Sequence, residues 1–79
     1  MMREATLDLI RAIIVGIAAD EALADEAARV ARMCDDEGVS ASANAMRAIA
    51  RNHRIRVMEA RGRLAVLTAP YTADHHDEL

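Results

Sequence analysis

Seventy-nine residues allow one small domain, and a chain this short buries only about 60% of the surface it exposes when unfolded, so a monomer has a marginal core. Eighteen alanines, no Trp, no Phe and a single Tyr71 exclude an aromatic core and leave little that favours strands beyond "IIV" at 13–15, so the predicted class is all-α. The net charge of −3 is segregated: four Arg stand against nine Asp and Glu over residues 1–37, and six Arg against Glu59 alone over 38–69. An acidic first half and a basic second half predict mutual complementarity.

The strongest interior break is "DDEGVS", residues 35–40. Gly38 suits the left-handed residue after a helix end, and Ser40 or Ser42 suits the cap of the next helix. The expected elements are a helix over about 3–36, a turn at 37–40 and a helix over about 40–68. Pro70 is expected to end the second helix, leaving 70–79 as a flexible tail after a single domain over 1–69. Asp20 could break the first helix and give three in all. A continuous helix whose apolar face shifts at Asp20 is the preferred reading.

A short loop makes neighbouring helices antiparallel, and both helices carry a seam with spacings of three and four. In the second it reads Met46, Ile49, His53, Val57, Ala60, Leu64 and Leu67; in the first Leu9, Ile13, Gly16, Leu23, Ala27, Val30 and Cys34. Folding about Gly38 places Val30 near Met46, Leu23 near His53 and Ile13 near Leu64. Leu7, Ile10, Ile14 and Ile17 form a second apolar stripe. A helix that is apolar nearly all round expects cover on all sides, so these residues predict a homodimer, a four-helix bundle with isologous pairing.

Arg47, Arg51, Arg54 and Arg61 fall in one stripe beside the seam, about 21 Å long at 1.5 Å per residue. Regularly spaced arginines could track phosphates and bind in a salt-sensitive way. The leading reading is charge pairing across the hairpin, Arg51 with Asp25 and Arg54 with Glu21 or Glu26. "GVSASANAMRAI" resembles the turn and second helix of a helix-turn-helix, similar to those of phage repressors, within the segment 34–56. That resemblance implies a DNA-binding regulator. Asn44 departs from it, standing where an apolar residue should lock the helices. "NHRIR" resembles the phosphoacceptor box of some bacterial histidine kinases and, more loosely, histidine phosphotransfer domains, which implies phosphotransfer at His53. Val57 departs from the small residue, often Gly, that phosphotransfer domains keep four positions after the histidine.

Cys34 is alone and there is no lysine, which excludes an intrachain disulfide, Schiff-base chemistry and a phosphate-loop lysine. Alanine excess without lysine suggests a GC-rich bacterial coding sequence. The longest uncharged run, "AIIVGIAA" at 12–19, is far short of the roughly twenty apolar residues of a membrane span. Asp8 and Arg11 spoil a signal peptide, so a terminal "HDEL" is read as coincidence and the expected location is the cytoplasm. "DHHDE" at 74–78 holds metal-competent groups but no fixed third ligand. No nucleophile with an adjacent base is apparent, and no catalytic residue, cofactor or metal is expected. The leading expectation is a non-enzymatic regulatory or adaptor protein that docks on a larger regulatory protein, with nucleic acid the runner-up partner and no membrane role. Its size and hairpin style are similar to small antiactivators of quorum-sensing regulators, anti-sigma-type adaptors and some phage-encoded inhibitors.

Overall fold

In a computed structural model the chain is a hairpin of two α-helices, described for the backbone of residues 2–75 and the side chains of residues 3–70. Helix α1 spans Met2–Asp36 and α2 spans Ser40–His75, and no strand occurs among the described residues. Helix α1 passes through Asp20 without interruption. Its composition explains this: alanine is the commonest residue, no proline occurs, and side-chain pairs three residues apart such as Asp8–Arg11 and Glu26–Arg29 line its surface.

The turn is built as the sequence suggests. Gly38 has φ +77°, the left-handed conformation that costs a residue with a Cβ. Its N–H donates to the Asp35 carbonyl at 3.0 Å, and the Val39 N–H donates to the Cys34 carbonyl at 2.8 Å. These two bonds make a Schellman motif and satisfy carbonyls that α1 would otherwise leave open. The start of α2 differs from expectation. The Val39 carbonyl accepts the first helical bond, from Ala43 N–H at 3.1 Å, so Val39 holds the cap position and Ser40 is already helical.

The far end also differs. Helix α2 does not stop near residue 68 but continues through Pro70 to His75. Pro70 has no N–H for the Val66 carbonyl, so the ladder loses one bond there without ending the helix. Just before it the Thr68 hydroxyl donates to the Leu64 carbonyl at 2.9 Å, a back-bond that often accompanies a bend. The remainder of the expected tail, residues 76–79, lies outside the described residues.

The seam is a regular three–four alternation. From α1 it takes Ile10, Ile13, Ile17, Asp20, Ala24, Ala27, Ala31 and Cys34; from α2 it takes Ala43, Met46, Ala50, His53, Val57, Ala60, Leu64 and Leu67. All are half-buried or buried, but the buried ones are five alanines and Val57, with Ala43 fully covered at 0% exposure. This corrects the expected seam at several positions. Leu23 and Ile49 point outward, 51% and 42% exposed, and Leu9 and Gly16 are exposed too. Ala24 and Ala50 take the inner positions beside Leu23 and Ile49. Small side chains let two helices approach closely, so the tightest contact selects alanine over its larger neighbour. Ile10 and Ile17, expected on an outer stripe, lie in this seam, whereas Ile14 stays exposed and Leu7 half-buried.

Candidate functional site

Two side chains that a seam normally excludes meet at its middle. Asp20 and His53 are only 14% and 20% exposed, and His53 Nδ1 lies 2.8 Å from Asp20 Oδ1. The Arg56 guanidinium lies 3.5 Å from the same oxygen. The expected facing of His53 and Leu23 is therefore replaced by a polar pair, and Asp20 is a member of the seam. The sequence carried the signal in the spacing: Asp20 continues the series Ile13, Ile17, Ala24.

The seam divides the hairpin into two unlike flanks. On one, the residues that follow Asp20, Cys34, Met46, His53 and Ala60 are Glu21, Asp35, Arg47, Arg54 and Arg61. Here Arg47 donates to Asp35 at 2.7 Å and also to Asn44 at 2.7 Å, and Arg61 donates to Glu21 at 2.5 Å. Partners 12 and 40 residues apart on one flank show how α2 runs back along α1. A shallow groove of about 320 Å³ on this side is lined by Glu21, Asp25, Arg54, Met58 and Arg61 among others.

The arginine stripe thus splits. Arg47 and Arg61 are ion-paired, but Arg51 and Arg54 have no ion-pair partner among the described residues. The expected pairs Arg51 with Asp25 and Arg54 with Glu26 do not form. Glu26 is engaged within α1 by Arg29, whose hydrogen bond holds the Glu26 carboxyl below the ordinary carboxylate range. Cross-hairpin charge pairing exists, displaced by a turn or more from the expected partners.

On the other flank the residues preceding Ile10, Ala24, Ala31 and Ala50 are Leu9, Leu23, Val30 and Ile49. An open groove of about 570 Å³ is lined by Leu9, Ile13, Gly62, Arg63, Val66 and Leu67. Beside it Ile13, Gly16, Asp20, Arg56, Glu59 and Arg63 line a second groove of about 330 Å³, so Asp20 opens toward this flank. One flank is charged along its length, and the other carries the apolar side chains Leu9, Leu23, Val30 and Ile49 together with Arg56 and Arg63.

Among the described residues no group of three or more His, Cys, Asp or Glu could hold a metal ion, and no helix is long and apolar enough to cross a membrane. The side chains of "DHHDE" lie outside the described residues. Cys34 is a half-buried free thiol in the last turn of α1. No family model, no curated protein and no solved structure matches this chain.

Proposed function

We propose that this protein is a non-enzymatic regulatory or adaptor protein of the antiactivator or inhibitor kind, acting in the cytoplasm as a homodimer that docks on a larger regulatory protein. One observation carries the reading: the hairpin closes on alanines and leaves large apolar side chains on one flank, among them Leu9, Leu23, Ile49 and Val66, 42–74% exposed. Scattered apolar residues are normal on a surface, but a contiguous apolar flank marks an interaction site. Helix faces of this kind dock through residues at three–four spacing.

The test is affinity capture with and without nuclease, using the wild-type chain and a Leu23→Glu variant. One stoichiometric protein retained after nuclease and lost from the variant supports docking by the dimer that needs the apolar flank to form. A second reading, DNA binding, draws on the unpaired Arg51 and Arg54. Salt-sensitive DNA affinity that vanishes when Arg47, Arg51 and Arg54 become Gln would move the assignment there. A third, phosphotransfer at His53, requires an acid-labile adduct on incubation with acetyl phosphate or a phosphorylated receiver.

A further inference from the structure

We infer that the flank bearing Leu9, Leu23, Val30, Ile49 and Val66 receives a second copy of this chain, with the two Gly38 turns at the same end of the pair. This rests on the docking reading above and gives its dimer a face and a direction.

The amount of exposed surface points to a second copy. The chain exposes 5962 Å² and has a mass of 8.6 kDa. A compact monomer of that mass exposes about 4,700 Å² by the usual surface–mass scaling. The excess is roughly 1,300 Å² per chain, or about 2,500 Å² for two, which falls within the range of about 2,000–5,000 Å² buried by obligate homodimers. The shape agrees: the molecule measures 54 × 26 × 14 Å, one helix layer thick, whereas a domain closes its core between at least two layers.

The character of the two flanks selects the face. Burying the charged flank would desolvate Arg47–Asp35 and Arg61–Glu21 together with the unpaired Arg51 and Arg54. Burying the other covers Leu9, Leu23, Val30 and Ile49 and fills the 570 Å³ groove beside Val66. Arg56 and Arg63 belong to this flank as well and line its grooves, and their stems can cover apolar surface while the guanidinium groups reach the rim and stay wet.

Charge then selects the direction. A two-fold axis parallel to the helices stacks each α1 on the other copy's α2, an acidic helix on a basic one. A two-fold axis across the helices stacks α1 on α1, acid on acid, with the turns at opposite ends. The first arrangement also sets Leu9 over Val66 and Val30 over Ile49 of the other copy. Like-charge juxtaposition opposes the second.

The experiment joins sedimentation equilibrium with pulsed electron–electron distance measurement on the full chain. Leu23→Glu with Ile49→Glu is expected to weaken dimerisation at least tenfold, while Met58→Glu, on the charged flank, leaves it unchanged. Leu23→Ala with Ile49→Ala gives the same ranking in milder form should the charged pair fail to fold. A spin label at Glu37→Cys in a Cys34→Ser background is expected to give a label-to-label distance within roughly 20–30 Å, as for neighbouring or diagonal helices of one bundle. A dimer insensitive to both double variants overturns the face and leaves the docking reading standing. A distance approaching the 54 Å length of the molecule overturns the direction. A folded wild-type monomer at micromolar concentration overturns the inference together with the homodimer, and capture of a larger partner by that monomer would still uphold docking.

Discussion

The half of the hairpin near the turn and the half near its open end are built from the same two helices, yet only one of them is closed. Near the turn Ala24, Ala27 and Ala31 meet Ala43 and Ala50, all buried. Toward the open end Ile10, Ile13 and Ile17 meet Ala60, Leu64 and Leu67, and none of these is better than half-buried. Two helices can surround a methyl group between them, but they cannot surround an isoleucine. The energetic consequence is lopsided. A buried methylene-sized group contributes about 0.8 kcal/mol, whereas a fully covered Leu or Ile contributes about 1.5–3 kcal/mol. The residues with most to gain from burial are those the hairpin leaves partly wet. Between the halves lies the polar pair Asp20–His53, which fixes register where side-chain size changes.

Breaking the closed half should have the largest effect. Ala27→Leu combined with Ala50→Leu inserts bulk where the helices approach closely, and each overpacking costs about 1–3 kcal/mol. Together they should abolish a cooperative thermal transition followed by circular dichroism. Next comes the boundary. Asp20→Ala leaves His53 without its partner and should lower stability by about 1–3 kcal/mol in urea titration. Replacing both Asp20 and His53 with Leu should recover most of that loss, because an apolar pair needs no desolvated partner.

Glycine replacements separate the halves with opposite signs. Gly38→Ala forces a Cβ into the left-handed conformation and should destabilise by about 1–2 kcal/mol. Gly62→Ala lies in the helix interior of the open half, with nothing within 4 Å of the added Cβ, and should stabilise by about 0.5–1 kcal/mol. The smallest effect belongs to the charged flank. Arg61→Gln removes an ion pair whose side chains are more than 45% exposed, and the melting transition should register no more than about 0.2–1 kcal/mol, reduced further by salt.

The two helices, the turn at Gly38 and the all-α class were legible because they depend on local signals: alanine content, one glycine, and charges spaced along each helix. The seam was legible only to within one residue. Leu23 and Ile49 are more apolar than Ala24 and Ala50, so a periodicity weighted by hydropathy drifts onto them. Close helix approach depends on size, which hydropathy ignores. Asp20 was misread for the same reason, as an interruption of an apolar series whose spacing it keeps. Pro70 signals an end that α2 does not obey, since loss of one bond near a helix terminus does not outweigh the turns on either side. The split of the arginine stripe was illegible because partner choice depends on side-chain reach and register across the hairpin, and it is Arg61, two turns beyond Arg54, that meets Glu21.

The central claim is that this hairpin is half of a closed core. Sedimentation velocity on the wild-type chain from low to high micromolar concentration, with helicity measured on the same samples, tests it most directly. The account predicts a species of twice 8.6 kDa that loses helicity as dilution dissociates it. A fully helical 8.6 kDa monomer across that range would contradict it.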